Sequence, residues 1–361
     1  MTLKTRQSIL DISPYKGGLS KTGKAVEVLK LSSNETPLGP SPKAIAAFKE
    51  SASTLYRYPE GSSALLREAI GEVYNLNPEQ IICGAGSDEL ISFLCTAYTE
   101  PGDEVLYTEH GFLMYKIYAM AVGAKPVSVP EKNLRTDVDA ILKAVTGRTR
   151  IVFVANPNNP TGSYISRDEM IRLRKGLPEN VLLVIDGAYA EYVAEKDYTK
   201  GEDLVDMGNN TVMTRTFSKI YGLASLRIGW AYCPLEVIDI LNRVRGPFNV
   251  STPAMNAAVA AVKDKEFTEK ARILNANQLK FMTEQLTAIG LNPAPSVGNF
   301  IMAKFPNGEK NAANAFEYLM ENGIIVRPVA NYGLEEYLRI TIGLEKDNKR
   351  VIDTLKKFMN S

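Results

Sequence analysis

Short apolar runs alternate with amphipathic stretches from about residue 30 to residue 250. Several runs are continuous series of Val, Ile and Leu, as is typical of strands covered on both faces. The predicted strands span residues 104–107, 125–129, 150–154, 181–185, 211–216 and 227–231. Helical stretches such as 167–175 separate them. This alternation predicts an α/β fold with an open, mostly parallel sheet and helices on both faces.

The pattern changes after Pro247. Helical periodicity runs from 253 to 289, and shorter strands are predicted at 300–305, 324–327 and 337–342, with a helix at 311–322. Residues 1–30 are polar and irregular. The sequence therefore predicts three parts: an N-terminal arm (1–30), a large domain (31–250, whose first part contributes to the small domain) and a small C-terminal α+β domain (251–361).

Composition favours a small-molecule partner. Hydrophobic residues make up 45% of the 361 positions, charged residues 23%, and the net charge is +1 without a block of like charge. This balance predicts neither nucleic acid nor a membrane surface as a partner. No apolar run is long enough for a membrane span, and the first residues do not form a signal peptide, so we expect a cytoplasmic protein.

Cysteine and histidine usage excludes several kinds of site. The three cysteines, Cys83, Cys95 and Cys233, are widely separated and form neither a C-x-x-C pair nor a Cys/His cluster. This spacing argues against a disulfide scaffold or metal site and favours free thiols. The single histidine, His110, has no nucleophile motif to match it, which argues against a hydrolase.

Two loops are candidates for ligand binding, because ligands of open α/β sheets bind beyond the carboxyl ends of the strands. The glycine-rich segment 83–90 opens an apolar-periodic helix, whose first N–H groups could hold a phosphate. An ordinary helix start explains this segment equally well. Residues 156–162 are consecutive turn-formers after a strand, and such a turn can also aim an Asn side chain into a cleft.

The next two strand ends carry ionisable groups. Asp186 ends the most apolar strand and Tyr189 follows it; a buried carboxylate is costly without a positive partner, although a helix N-cap would also explain it. Lys219 follows the next strand beside Thr216 and Ser218, and Arg227 opens the strand after that. A cationic, desolvated neighbourhood lowers the pKa of an amine and makes it nucleophilic.

Together these groups provide a phosphate cradle, an acid for a ring nitrogen, a stacking aromatic and an amine, which pyridoxal phosphate requires. The motifs resemble the signature set of fold-type I, class II pyridoxal-phosphate-dependent aminotransferases over nearly the whole chain. The resemblance is closest to the histidinol-phosphate subfamily, through segments 33–42, 56–61, 216–224, 245–250 and 338–343. It implies a mostly parallel, seven-stranded sheet and pyridoxal 5'-phosphate as cofactor.

The resemblance also implies a role for each matched residue. Lys219 holds the cofactor as a Schiff base and moves the proton, Asp186 pairs with the pyridine nitrogen, and Asn159 and Tyr189 hold the ring hydroxyl. Phe112 stacks on the ring, but it lacks the hydroxyl of the Tyr that is usual there.

The remaining implied roles concern the two ends of the site. The cofactor phosphate would be bound by Gly86, Ser87, Asp88, Thr216, Ser218, Arg227 and, from the partner subunit of a homodimer with shared active sites, Tyr58. The substrate site would be lined by Tyr15, Asn34, Arg327 and Arg339, the two arginines binding the anionic end.

The implied reaction is amino transfer between L-histidinol phosphate and 2-oxoglutarate in L-histidine biosynthesis, in two half-reactions through pyridoxamine phosphate. An aromatic amino-acid aminotransferase is the nearest alternative, because a pocket for imidazole also accepts a phenyl or phenol ring. A pyridoxal-phosphate-dependent decarboxylase of an amino-acid phosphate is the second. A regulator built on a degenerate enzyme domain is disfavoured by the intact Lys219 and the near-zero net charge.

Overall fold

The computed structural model describes residues 3–15, 17–19, 21, 28–208 and 210–361. A seven-stranded sheet is its central element, with strand order β2-β8-β7-β6-β5-β3-β4. Neighbours from β7 to β4 are parallel, whereas β8 is antiparallel to both β7 and β2. Its strands are β2 (Ile81–Gly84), β3 (Glu104–Thr108), β4 (Lys125–Val129), β5 (Thr149–Ala155), β6 (Leu182–Asp186), β7 (Thr211–Thr216) and β8 (Gly229–Tyr232).

Two smaller sheets lie in the C-terminal part. One has the order β12-β13-β10-β9, and the other pairs β1 with β11 in parallel. Their strands are β1 (Leu29–Lys30), β9 (Asn292–Pro293), β10 (Phe300–Lys304), β11 (Ile324–Ile325), β12 (Arg327–Pro328) and β13 (Tyr337–Thr341).

Helices cover the sheets. They are α1 (Gln7–Leu10), α2 (Pro42–Glu50), α3 (Ala64–Tyr74), α4 (Ser87–Tyr98), α5 (Leu113–Val122), α6 (Val138–Ala144), α7 (Arg167–Gly176), α8 (Glu202–Asp206), α9 (Leu235–Val244), α10 (Thr252–Lys263), α11 (Lys265–Ala288), α12 (Ala312–Glu321) and α13 (Glu345–Asn360). Single 3-10 turns lie at Ser51–Thr54, Pro78–Gln80, Ala190–Tyr192, Ala224–Leu226 and Ala330–Tyr332.

Helix starts follow local capping chemistry. The side chains of Ser41, Ser166 and Ser251 each accept a hydrogen bond from an N–H of the first turn. Such caps satisfy donors that have no partner within the helix. At α7, Glu169 completes a capping box with Ser166, so the chain turns sharply into this helix after the loop that follows β5.

The α/β prediction is confirmed, with four local corrections. The predicted strand 227–231 begins only at Gly229, because Arg227 has a left-handed backbone (φ 49°). Strand β2 was missed, since four residues ending in glycine are too short to show a period. The predicted helix 253–289 is two helices, separated where Asp264 leaves the helical conformation (φ −84°, ψ 67°). The predicted strand 324–327 is divided between β11 and β12.

The described part of the N-terminal arm is in contact with the C-terminal part of the chain. It contains the helical turn α1, and its last residues, Leu29 and Lys30, pair with Ile324 and Ile325 of the C-terminal part. Leu31 packs into the same apolar core as Ile301 and Ile340. The arm therefore brings residues 32–34 to the edge of the large sheet.

Separate apolar cores lie on the two faces of the large sheet and beneath the C-terminal sheet. Helix α10 packs with α2 and α3 on the core that contains Trp230 and Phe217. The division at residue 250 remains a prediction. Across the described ranges, no helix is both long and apolar enough to cross a membrane. The three cysteine thiols are buried, and burial raises the pKa of Cys83 and Cys95 to about 12.

Candidate functional site

A cleft opens where the parallel strands β5, β6 and β7 end, as expected for this sheet type. Its cavity volume is about 130 Å³. Most of the residues singled out from the sequence meet there: the cleft is lined by Ser87, Asp88, Phe112, Ala155, Pro157, Asn159, Asp186, Ala188, Tyr189, Thr216, Ser218, Lys219 and Arg227.

The amine of Lys219 lies inside this cleft. The side chain is half-buried; Nζ donates a hydrogen bond to the carbonyl oxygen of Ser33 at 3.2 Å and lies 5.5 Å from the centre of the Tyr189 ring. A lysine ammonium has three hydrogens that can be donated, and this backbone acceptor receives only one of them. The amine is therefore placed to react with a carbonyl compound held in the cleft.

The carboxyl group of Asp186 forms the floor of the cleft. It is 5% exposed and accepts hydrogen bonds from the Tyr115 hydroxyl (2.7 Å) and the Ala188 N–H (3.2 Å). Burial raises its pKa despite these hydrogen bonds, which lower it. Asp186 is not a helix N-cap, because Tyr189 caps the following 3-10 turn. A buried acid of this kind suits a cationic ring nitrogen.

The opposite end of the cleft is suited to an anion. Gly86 (φ 87°) caps α4, whose first N–H groups have no partner within the helix. A Cβ at Gly86 would lie 2.5 Å from Nη2 of Arg227, so only glycine lets this guanidinium reach the helix start. Arg227 also donates to the Ser218 hydroxyl at 3.2 Å, and the Thr216 hydroxyl lies 3.0 Å from that of Ser218.

These groups fit pyridoxal phosphate. An anion site at a helix N-terminus, a buried acid and an amine line one cleft, and Phe112 closes one wall. The ring of Phe112 meets Tyr115 edge to face at 5.7 Å, and Tyr115 stacks on Phe153 at 4.6 Å. The wall beside the ring position is therefore rigidly supported.

Arg339 connects the cleft to the C-terminal sheet. It is 6% exposed, donates to the Asn159 side-chain oxygen at 2.5 Å and to the Ser32 carbonyl at 2.9 Å, and lies over the Phe300 ring at 5.4 Å. Its Nε has no hydrogen-bond partner among the described residues. Burial lowers the pKa of Arg339, and an anionic ligand would compensate this cost.

A second arginine lies directly opposite the first. Arg327 and Arg339 are paired positions of the antiparallel strands β12 and β13, so their side chains are neighbours on one face. The charge of Arg327 further lowers the pKa of Arg339, whereas Tyr332 and Tyr15 raise it. Tyr15 is half exposed at 47%.

Asn34 holds the ring of Tyr189 in place. Its side chain donates to the Tyr189 hydroxyl at 2.9 Å and accepts from the Thr341 hydroxyl at 3.2 Å. Asn34 is 1% exposed and has a left-handed backbone (φ 56°), which Asn tolerates better than most residues. Asn34 therefore joins β13 to the loop that follows Asp186.

Six predicted residues do not line this cleft within one chain: Gly86, Tyr15, Asn34, Arg327, Arg339 and Tyr58. Tyr58 is the most exposed of them. It is 84% exposed and stacks on Phe248 at 4.9 Å. Leu55 and Tyr56 beside it are exposed at 65% and 77%. Within one chain Tyr58 does not line the cleft, so its implied role requires a second subunit.

Sequence reasoning missed two contributors. Tyr115, the partner of Asp186, occupies an apolar-periodic helix, where a tyrosine is indistinguishable from a core residue. The Ser33 carbonyl that accepts from Lys219 is a backbone group, so no side-chain signal marks it. His110 places Nδ1 2.7 Å from the Tyr332 carbonyl and so connects the two sheets beside the cleft.

The raised pKa of Asp186 predicts a pH-dependent stability of the cofactor-free protein. Between the ordinary Asp value, near 4, and the raised folded pKa, the folded state binds more protons than the unfolded state, so stability falls as pH rises. Asp186→Asn should therefore gain stability relative to wild type as pH increases through this window. Urea midpoints of both proteins between about pH 4 and pH 8 measure the difference.

The matched control is Asp353→Asn, which alters an exposed carboxylate on α13. Its stability difference from wild type should stay nearly constant over the same range. A constant difference for Asp186→Asn as well would contradict a pKa raised by burial.

Comparison with known proteins relates this arrangement to one family. The family described as "Aminotransferase class I and II" matches residues 26–355. Two proteins named histidinol-phosphate aminotransferase are similar: one from Dinoroseobacter shibae (55% identity, covering 99% of both chains) and one from Rhodopseudomonas palustris (52% identity, covering 97% of both). The crystal structure of histidinol-phosphate aminotransferase from Sinorhizobium meliloti in complex with pyridoxal-5'-phosphate superimposes with a TM-score of 0.87, at 27% identity over 92% of each chain.

Proposed function

The chain belongs to the class I and II aminotransferase family, and we propose that it transfers an amino group between L-histidinol phosphate and 2-oxoglutarate, a step of L-histidine biosynthesis. The observation that carries this proposal is the direct opposition of Arg327 and Arg339 on neighbouring strands, with Arg339 hydrogen-bonded to Asn159 of the cleft. Relatives at 52–55% identity over nearly their whole length support the same substrate through their names.

Two guanidinium groups match the charge of a phosphate monoester. Such a group carries about −1.5 to −2 charges at pH 7, and guanidinium forks bind its oxygens in pairs. The carboxylate of an aromatic amino acid carries only one negative charge and matches the two positive charges less well. The same pair can also receive the carboxylates of 2-oxoglutarate in the second half-reaction, so one site serves both substrates in turn.

Pyridoxal 5'-phosphate is the cofactor that the cleft fits. When bound, it withdraws electrons from the substrate's Cα, which makes the α-hydrogen acidic. Lys219 would hold its aldehyde carbon and, once displaced by substrate, carry the proton away from Cα. Asp186 would keep the ring nitrogen protonated, and Asn159 and Tyr189 would hold the ring hydroxyl.

The anion end of the cleft would fix the cofactor's phosphate. The N–H groups of Ser87 and Asp88, the hydroxyls of Thr216 and Ser218, and the guanidinium of Arg227 converge there. Release of Asn159 from Arg339 on substrate binding would free the amide for the ring and the guanidinium for the substrate. Asn34 and Tyr15 would complete the substrate pocket.

A homodimer with shared active sites completes the proposal. Tyr58, stacked on Phe248, projects from an exposed apolar patch that includes Leu55 and Tyr56. Exposed patches of this kind mark protein interfaces. Across the dimer axis, the Tyr58 hydroxyl would reach the cofactor phosphate of the partner subunit.

The substrate is tested by comparing kcat/KM for L-histidinol phosphate, L-phenylalanine and L-tyrosine with 2-oxoglutarate as acceptor. We expect a preference for the phosphate of at least about 100-fold, since loss of the charge-assisted hydrogen bonds that the buried Arg339 would make to the phosphate is costly. Glutamate and carbon dioxide are measured in the same assays. A preference for the aromatic amino acids would assign the alternative aminotransferase, and release of carbon dioxide from an amino-acid phosphate would assign the decarboxylase.

A further inference from the structure

A fully buried arginine lies behind the cleft. Arg215 stands between Thr214 and Thr216 on β7, and its side chain is 0% exposed. Because side chains alternate along a strand, Thr216 faces the cleft while Arg215 faces the opposite side of the sheet. Arg215 does not line the cleft.

Two carboxylates bind this guanidinium. Nη1 of Arg215 donates to Glu191 and Nη2 donates to Glu202, both at 2.7 Å. The guanidinium also lies over the rings of Tyr74 (5.6 Å) and Trp230 (5.8 Å). Burial disfavours the charge, but the two carboxylates outweigh it and raise the pKa of Arg215, so the group stays charged.

The network reaches both sides of the cleft. Glu191 follows Asp186 and Tyr189 on one loop and accepts from the Tyr74 hydroxyl at 3.1 Å. The Tyr74 hydroxyl lies 2.5 Å from that of Tyr221, which follows Lys219 on the other loop. We refer to Arg215, Glu191, Glu202, Tyr74 and Tyr221 as the arginine cluster.

The loop that carries Asp186 also packs directly on this arginine. A Cβ at Gly187 would lie 2.9 Å from Nε of Arg215, so the absence of a side chain there allows the close approach. Buried ion networks add little net stability compared with apolar packing. Stability alone therefore does not explain why the chain contains the arginine cluster.

We propose that Arg215 is a positioning residue that holds the Asp186–Tyr189 loop and the Lys219 loop at a fixed separation. The proposal rests on Lys219 being the cofactor lysine, as proposed above. The rigid guanidinium fork of Arg215 binds two carboxylates at once. A lysine ammonium on a flexible stem would hold neither carboxylate in a fixed direction. Loss of the guanidinium fork would let Lys219 shift relative to the cofactor ring that Asp186 would hold.

The test uses Arg215→Lys, which keeps the charge and removes the fork. Misplacement of reacting groups by about 1 Å can cost about 100-fold, so we expect kcat to fall by about 10- to 100-fold with little change in KM. The pH at which the visible absorption of the holoenzyme titrates should shift. Emission of Trp230, the chain's single tryptophan, should also change, because the cluster contacts its ring.

Tyr221→Phe provides a second variant with little effect on folding. It keeps the ring and removes only the hydroxyl that joins the Lys219 loop to Tyr74. We expect a smaller shift of the same absorption titration, in the same direction.

Arg174→Lys is the matched control. Arg174 is a half-buried arginine on α7 that donates to the carbonyls of Val181 and Asn210, away from the cleft. This variant should lose thermal stability without a change in kcat or in the absorption titration. An unshifted titration in both cluster variants, with a normal wild-type spectrum, overturns the positioning role alone. Failure of wild-type protein to develop a visible band with pyridoxal phosphate overturns the proposed function.

Discussion

Replacement of Lys219 by alanine is expected to lower kcat for amino transfer by about 10,000-fold or more. The substitution removes the amine that lies in the cleft beside Tyr189 and that, in the proposed reaction, carries the proton from Cα. No neighbouring amine can take its place: in the part of the chain that the structure describes, Lys219 is the only lysine lining this cleft. The measurement is kcat with L-histidinol phosphate and 2-oxoglutarate, combined with the visible spectrum of the purified protein.

The matched control for this variant is Lys196→Ala, which removes an exposed lysine. It should keep wild-type turnover and the wild-type spectrum. A Lys219→Ala protein that remained active without an added amine would contradict the assignment of the cofactor lysine.

Replacement of Arg339 by glutamine is expected to lower kcat/KM for L-histidinol phosphate by about 100-fold or more, equivalent to about 2.7 kcal/mol. Arg339 is buried, so its bonds to the substrate's anionic end would be made in a poorly hydrated site, where charge-assisted hydrogen bonds are strong. The turnover of glutamate should fall as well, because in the proposed second half-reaction the same guanidinium would bind a carboxylate.

L-Histidinol, which lacks the phosphate, is the matched substrate for this experiment. Its kcat/KM should be low in the wild type and should change far less in Arg339→Gln than that of the phosphate ester. The affinity of the variant for pyridoxal phosphate reports whether loss of the contact with Asn159 disturbs the cofactor side. Equal losses for both substrates would show that Arg339 supports the fold of the cleft and does not bind the phosphate.

The positions of the main candidate residues could be read from the chain because they end buried strands. Strand β6 is apolar up to Asp186 and β5 is apolar and buried from Ile151, so the ends of these strands are visible in the sequence. Strand β7 is buried throughout, and its apolar residues Val212 and Met213 mark it in the sequence. Asp186, the loop with Asn159 and the loop with Lys219 follow directly. In a parallel sheet these ends meet at one edge, and the structure places the three side chains in one cleft.

The predicted bounds of helices and strands were wrong where the local hydrophobic pattern was weak. One non-helical residue, Asp264, does not interrupt the apolar periodicity of α10 and α11, so two helices looked like one. The two-residue strands β11 and β12 are defined by their partners, β1 and β13, and not by any period of their own. The sequence predicted that Arg227 opens a strand. Its left-handed backbone keeps it out of that strand, and this conformation depends on contacts with the start of α4 that the local sequence does not show.

The sequence by itself determined the fold class, the family and the strand ends that carry Asp186, Asn159 and Lys219, because these depend on local periodicity and on motifs contiguous in the chain. Only the tertiary structure decided which distant groups share an environment. Arg339 meets Asn159 and Ser32, Arg327 lies opposite Arg339, and Arg215 binds Glu191 and Glu202 beneath the cleft. Burial and the pairing of charges set the energies of these contacts, and both are properties of the folded chain that no local pattern records.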